Sequence, residues 1–144
     1  MTAASDQALV RRFFEEVWNR NDLEVARDIV HEDYASPEGQ TFPSLPGFDI
    51  LAADLKLYQS LYRDLTFTIE RMFVEEEQEQ DQDQEQQQVV WTVWHATGES
   101  KIHTFTDRLG RIRPQELSAL GVSLTEVRDG KVASHRLLWP RTHP

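Results

Sequence analysis

The sequence predicts an α+β fold: three N-terminal helices packed on a curved, mostly antiparallel sheet, forming a cone-shaped α+β barrel. Two observations carry this prediction. Apolar residues recur at helical spacing up to residue 62, and β-branched and aromatic residues dominate the alternating segments from residue 66 onward. Helices followed by a run of strands are typical of a helical layer on one face of a sheet. By length, the 144 residues form a single domain.

The first helix is predicted over residues 6–19 because its apolar residues form one stripe. They are Leu9, Val10, Phe13, Phe14, Val17 and Trp18. Ser5 or Asp6 is expected to cap this helix. A break at residues 19–21 precedes a short second helix with Asp22 as its cap. Its inward residues are expected to be Leu23, Ala26, Ile29 and Val30.

Residues 35–47 are rich in proline and glycine and are predicted to form a loop. A third helix is predicted over roughly 48–62. Its apolar side consists of Ile50, Leu51, Leu55, Tyr58, Leu61 and Tyr62. Asp54 interrupts that side, and we interpret it as part of a solvated helix face.

The rest of the chain is predicted to be mainly strand. The segments are 66–74, 89–97, a weaker 100–106, 122–128 and 132–139. The last two are joined at Asp129-Gly130, a pair that strongly favours a tight hairpin turn. Residues 107–120 are ambiguous, since Pro114 could begin a short helical turn.

An acidic glutamine-rich tract separates the first two predicted strands. Residues 75–88 hold seven acids and no base, so we predict a disordered hairpin loop at about 76–88. Without this tract the chain has 18 acids and 15 bases, a net charge of −3 instead of −10. The remainder shows no basic stripe, so we expect no nucleic-acid partner.

Composition also bounds the class of protein. The chain has no cysteine, which excludes disulfides and thiol chemistry. It shows no signal peptide and no apolar stretch approaching the roughly 20 residues of a membrane span. We therefore expect a cytoplasmic protein with no membrane partner.

Several segments together resemble the SnoaL-like polyketide cyclase and ester cyclase family, within the nuclear transport factor 2-like superfamily. The opening resembles the family's first two helices, in LVRRFFEEVWNRNDLEVARDIVHEDYASP. Two middle segments resemble its strands, in YRDLTFTIERMFVEEEQ and VVWTVWHATGES. The best match is the terminal hairpin, GVSLTEVRDGKVASHRLLW. The resemblance covers nearly the whole chain.

This resemblance implies a cone-shaped pocket, often in a homodimer that pairs sheets. The family's cyclases bind a polycyclic ester there. A carboxylate on the last strand acts as general acid and base for an intramolecular aldol closure, with no metal or cofactor. Such a carboxylate must remove a proton next to a carbonyl, which a buried group with a raised pKa does well.

The chain departs from that pattern where chemistry is expected. Counted from the Asp-Gly-Lys turn, the catalytic aspartate falls on Leu137, and its polar partner on the preceding strand falls on Ser123. The trailing acid of many relatives is Pro140. The isomerase branch of the superfamily implies a base at Ser36 and an oxyanion donor at Phe14, and both groups are missing.

His135 is the best surviving catalytic candidate. By alternation it shares a face with Leu137, which the resemblance points into the cavity, and an imidazole there could act as a base near neutral pH. The competing interpretation is a partly buried histidine that is hydrogen-bonded to the backbone. His95 is a second candidate, either in the pocket or at a rim or interface, and His103 would lie across from it if 96–101 were a turn. Two histidines make a poor metal site.

Two functions follow from these residues. The first is a protein that binds a small apolar molecule in an aromatic-lined pocket, without cofactor, as a homodimer. The predicted lining is Phe14, Trp18, Tyr58, Trp91, Ser123, Leu137 and Trp139. Core packing would explain these aromatic residues equally well. The alternative is a cofactor-free cyclase, isomerase or hydrolase that acts on a small apolar carbonyl compound through His135.

Overall fold

The computed structural model describes residues 3–35, 47–75 and 87–140. The helices are α1 (Ala3–Arg12), a π-helical segment (Phe13–Trp18) that continues α1, α2 (Leu23–Ile29) and α3 (Gly47–Leu61). The strands are β1 (Val30–Ala35), β2 (Tyr62–Glu75), β3 (Gln87–Thr106), β4 (Ile112–Arg128) and β5 (Lys131–Leu138). The predicted loop at 35–47 and most of the acidic tract lie outside the described residues, whereas Gln87 and Gln88 belong to β3.

The five strands form one curved sheet in the order β1-β5-β4-β3-β2. β1 runs parallel to β5, and the other neighbours are antiparallel. The helices cover one face of this sheet, which we call the inner face, and the opposite face is the outer face. The predicted α+β class with three helices on a mostly antiparallel sheet is confirmed.

The first helical stripe is buried as predicted, since Val10, Phe13, Phe14 and Val17 are fully inaccessible. The helix starts earlier than expected, so the predicted cap at Ser5 or Asp6 is wrong. Asp6 lies in the first turn, and its burial raises the pKa of its carboxyl group.

The second helix is capped as predicted, because the Asp22 side chain accepts a hydrogen bond from the Val25 amide at 3.1 Å. Its inward face is only partly correct. Ala26 and Ile29 are buried, but Leu23 is 37% exposed and Val30 begins β1. That strand was not anticipated. Asp54 is also buried rather than solvated, which corrects the expectation for α3.

The ambiguous segment 107–120 forms a hairpin turn and then strand, so a helical turn at Pro114 is wrong. One Asp107 oxygen accepts from the amides of Leu109 and Arg111, and the other accepts from the Nε atoms of Arg111 and Arg113, each at 2.9 Å. These donors hold the pKa of Asp107 below its ordinary value. Because β5 pairs with β4 only from Val122, Pro114 lies on an open edge, where a strand tolerates proline.

The last hairpin is confirmed at Asp129-Gly130. Both residues have positive φ, 54° and 73°, as a tight hairpin turn of this type requires. β3, by contrast, is continuous through 96–101 with a local irregularity after Glu99. His103 therefore does not fold back toward His95.

Candidate functional site

A row of polar side chains crosses the inner face of β3, β4 and β5. Thr92 is paired in register with Ser123, and Thr125 with His135. Directly opposed residues in an antiparallel pair have Cβ atoms about 5 Å apart, and Ser123 and Thr125 share one face of β4. All four are buried. The strands therefore bring these four residues into one buried polar row.

His135 lies at one end of the row, 3% exposed. Its Nδ1 is 3.0 Å from the Thr125 hydroxyl oxygen. Its ring meets Phe13 and Phe14 edge-on, with centroids 5.0 and 5.4 Å away, and lies 5.8 Å from Trp18. Among the described residues, Nε2 has no hydrogen-bond partner.

This apolar surround makes the charged imidazolium unfavourable. Burial lowers the pKa of His135 to about 3, so the ring is neutral at neutral pH. When the Thr125 hydroxyl donates to Nδ1, the proton of the neutral ring lies on Nε2 and can be donated to another group. At neutral pH His135 is thus suited to hydrogen bonding and is a weak proton acceptor.

Two further hydroxyls in the row lack partners. Neither the Thr92 Oγ1 nor the Ser123 Oγ atom has a hydrogen-bond partner within the described part of the chain. A buried polar atom without a partner costs about 1–3 kcal/mol. The row holds three such atoms, the two hydroxyl oxygens and Nε2 of His135, so polar groups of another molecule would be stabilised there.

No carboxylate faces the helices from the described parts of β3, β4 and β5. Leu137 is buried and is paired in register with Ser123, so this position carries only apolar contact. The buried carboxyl groups of the described residues, Asp6 and Asp54, lie instead on α1 and α3. The same residues contain no cluster of three His, Asp or Glu that could hold a metal ion.

Beside the row lies a continuous set of aromatic rings. Trp139 donates a hydrogen bond from Nε1 to the Tyr58 hydroxyl at 3.0 Å and stacks on that ring at 6.0 Å. Trp18 meets Tyr58 edge-on at 5.3 Å. The ring centroid of Trp94 lies 4.8 Å from that of Trp139, and the ring centroid of Phe67 lies 5.0 Å from that of Trp94. We call these five rings the aromatic wall.

The structure brings together six of the seven predicted pocket residues. Each lies in the polar row, next to it, or in the aromatic wall. They are Phe14, Trp18, Tyr58, Ser123, Leu137 and Trp139. Trp91 lies on the outer face, stacked on Phe73 at 6.4 Å and bonded to Glu75. His95 is also on the outer face, where Nε2 is 2.8 Å from the Ser118 hydroxyl.

Thr92, Thr125, Phe67 and Trp94 were missed from the sequence. The segment VVWTVWHAT is apolar at both odd and even positions, so alternation alone does not indicate which set faces the helices. Only the pairing of β3 with β4 places Thr92 and Trp94 inside.

Helices packed on one face of a curved, mostly antiparallel sheet define a class of small α+β proteins. The chain belongs to the SnoaL-like polyketide cyclase family, whose model matches residues 8–142. No curated protein matches the chain.

Solved structures share this fold at low identity. TsrD from Streptomyces laurentii is 20% identical, with a TM-score of 0.63 over 94% of this chain and 87% of its own. A candidate SnoaL-like polyketide cyclase from Jannaschia sp. CCS1 is 18% identical, with a TM-score of 0.65 over 95% and 86%. IdmH from Streptomyces antibioticus, a candidate polyketide cyclase, is 20% identical, with a TM-score of 0.61 over 92% and 90%.

Proposed function

We propose that this protein binds a flat, apolar small molecule between the sheet and the helices, and that it does not carry out the family's carboxylate-driven ring closure. The aromatic wall is the observation that carries the proposal. Flat rings pack well against such a wall, and the few polar groups of the row would orient a ligand carbonyl or hydroxyl group.

Among the described residues of β3, β4 and β5, no carboxylate faces the row, which supports the second half of the proposal. Leu137 lies where the family resemblance puts the catalytic aspartate, and a leucine side chain transfers no proton. The buried Asp6 and Asp54 lie on α1 and α3 and not at that strand position.

The binding proposal is tested with anthraquinone-2-carboxylate, a flat tricyclic probe, in isothermal titration calorimetry. Trp139→Leu removes a ring of the aromatic wall, whereas Trp91→Leu removes a half-buried ring from the outer face. We expect Trp139→Leu to weaken binding about tenfold, equivalent to ~1.4 kcal/mol, and Trp91→Leu to weaken it less than about twofold. Equal losses in the two variants would contradict the proposal.

One observation favours catalysis as a second candidate: His135 is enclosed and within hydrogen-bond reach of Thr125. In that case the chain is a cofactor-free cyclase, isomerase or hydrolase acting on an apolar carbonyl compound, with Nε2 as a hydrogen-bond donor to the developing oxyanion. His135→Gln would then abolish turnover of an aryl ester or ketone panel while the protein stays folded. Turnover that is unchanged by this substitution excludes a catalytic role for His135.

We further propose that the protein is a homodimer through the outer face of its sheet. Several large apolar side chains lie exposed or half-buried there, a pattern that marks interaction surfaces. They are Phe73, Trp91, Val93, Leu120, Val122 and Leu138. Two copies that pair these faces would bury each other's apolar surface.

The dimer is tested by light scattering coupled to size exclusion. Leu120→Lys places a charge in the middle of the outer face, so we expect it to give a monomer. Leu57→Lys on α3 is the matched control, since Leu57 is 47% exposed and lies on the helical side. A wild-type protein that is monomeric at about 100 μM would refute the proposal. Specific protein dimers have dissociation constants well below that concentration.

A further inference from the structure

A cleft of about 150 Å³ opens beside the aromatic wall. It lies between the end of the π-helical segment, the last turn of α3 and the start of β2. Its wall includes Trp18, Tyr58 and Tyr62, and its polar lining includes Asn21, Gln59 and Asp64. We call this space the side cleft. It combines ring surfaces with hydrogen-bonding groups.

Trp18, whose ring lines this cleft, carries a buried polar group. The side chain is only 7% exposed, and within the described residues its indole Nε1 donates to no acceptor. A buried N–H donor is normally paired, because leaving it unpaired costs about as much as losing a hydrogen bond. A ligand oxygen in the side cleft would satisfy this donor.

The backbone at the cleft is held in a strained conformation at two points. Of the three non-glycine residues with positive φ in the described chain, Asn21 (56°) and Asp64 (54°) both line the cleft. Asn and Asp tolerate this region better than other residues, yet they still adopt it uncommonly. These backbone conformations place the polar side chains of Asn21 and Asp64 at the opening of the side cleft.

These side chains are available to a ligand. The side chains of Asn21, Gln59 and Asp64 make no hydrogen bond to the described part of the chain. Asn19, also at the cleft, differs: its Nδ2 donates to the Phe67 carbonyl at 2.9 Å and its Oδ1 accepts from the Phe67 amide at 2.8 Å. Asn19 therefore has a structural role, because it fixes the backbone at Phe67. The side chains of the other three residues can instead form hydrogen bonds to a ligand.

The lining selects a class of ligand. An amide both donates and accepts, a carboxylate accepts, and an indole N–H donates, so the set suits hydroxyl groups, each of which donates and accepts. The C–H face of a sugar ring packs on an aromatic ring, whose face is electron-rich. An anion is disfavoured, because Asp64 is the charged group of the lining and the nearby Lys101 ammonium already donates to the Gln59 backbone carbonyl at 2.6 Å. An organic cation would leave both amides unused.

We propose that the side cleft is a binding site for a sugar ring. Because Trp18 and Tyr58 belong to both the side cleft and the aromatic wall, a sugar attached to a flat apolar ligand would reach the cleft while the apolar part lies along the wall. This glycoside form rests on the proposed function, whereas the free-sugar form does not.

The first test follows indole N–H signals by NMR, with the signal of Trp18 assigned through Trp18→Phe. Methyl glycosides of glucose, galactose and rhamnose are titrated into the full-length protein. We expect at least one to shift the Trp18 signal in a saturable way and to leave the Trp91 signal unmoved. No shift of the Trp18 signal with any of them, or a shift with tetramethylammonium alone, overturns the sugar site.

The second test separates the two sugar sources. 4-Methylumbelliferyl β-D-glucoside, its aglycone 4-methylumbelliferone and methyl β-D-glucoside are compared by calorimetry. If the cleft holds a ligand's sugar, the aryl glucoside should bind at least about fivefold more tightly than the aglycone. Binding by methyl glucoside alone would support the free-sugar form and would count against the apolar pocket. Equal binding of aryl glucoside and aglycone, without methyl glucoside binding, overturns the site.

Asn21→Gly and Asp64→Asn supply matched variants, because glycine and asparagine accept positive φ and leave the backbone unchanged. Combined, they should remove the advantage of the glucoside and leave aglycone affinity as it is. Asp129→Asn is the control, since Asp129 has the same φ of 54° at the distant β4–β5 turn. An advantage that survives the double substitution contradicts the assignment.

Discussion

The neutral state of buried His135 predicts a specific loss of stability in mild acid. The folded-state pKa is about 3, against an ordinary value of 6.5. Below pH 6.5 the unfolded chain therefore binds a proton that the folded chain does not, and the free energy of unfolding falls as the pH falls. The loss begins near pH 6.5 and continues down to the folded-state pKa.

The magnitude follows from these two pKa values. Relative to pH 7, the linkage relation gives a loss of about 0.7 kcal/mol at pH 6 and about 2 kcal/mol at pH 5. Other groups also titrate near pH 5, among them Asp6, whose pKa is raised by burial. The contribution of His135 is therefore obtained by difference from a variant that does not titrate at this position.

His135→Gln is that variant, because its amide can accept the Thr125 hydroxyl hydrogen and carries no charge. Urea unfolding is followed by tryptophan fluorescence at pH 7, 6 and 5 for wild type and variant. The variant is expected to be less stable at pH 7, and the gap should narrow by about 2 kcal/mol at pH 5. His95→Gln controls for the loss of a histidine on the outer face.

A gap that stays constant within about 0.5 kcal/mol from pH 7 to pH 5 would refute the reasoning, because His135 would then titrate alike in the folded and unfolded states. A direct check is the imidazole Cε1–H signal of His135 in NMR. It should not move between pH 7 and pH 5 while the protein remains folded.

Two further substitutions test the packing that supports the site. Asn19→Ala removes both hydrogen bonds to the backbone of buried Phe67 and should lower the free energy of unfolding by about 2–4 kcal/mol in urea. Asn21→Gly is the control and should lower it by less than about 0.5 kcal/mol. Similar losses in the two variants would refute the structural role of Asn19. Gly121→Ala should cost about 1–3 kcal/mol, since the new Cβ would lie 2.3 Å from Cη2 of Trp94. A loss under about 0.5 kcal/mol for Gly121→Ala in the same assay would contradict the packing argument.

The parts of the fold that the sequence predicts well are those whose signal is local. The stripe of the first helix, the Asp22 cap and the Asp129-Gly130 turn each depend on residues within a few positions of one another. The hairpin at 107–113 depends on Asp107 meeting the guanidinium groups of Arg111 and Arg113, a pattern that no standard turn signature contains. Its position therefore required the structure.

The site was harder to predict because it depends on which face of a strand is inside. His135 and Leu137 alternate with exposed Arg136 and Leu138, so their inner position could be predicted. Trp91 and Trp94 both lie in an apolar run, and only strand pairing shows that Trp94 is inside. Asp54 looked solvated because a charged residue is rarely buried. β1 was not predicted because it pairs in parallel with β5, and pairing between residues so far apart in the chain has no local sequence pattern.

The aromatic wall links ligand binding to the stability of the fold. Trp18 and Trp94 belong to the buried core, whereas Trp139 follows β5 and is only partly buried. Trp139 is joined to α3 through its hydrogen bond and stack with Tyr58. A ligand that packs on this pair would tie α3 to the end of the sheet, and binding to the folded state alone would stabilise it by about 2.7 kcal/mol at 100 times Kd. The proposed pocket and the core thus share one set of rings: the inner rings maintain the fold, and the partly buried Tyr58 and Trp139 would contact a ligand.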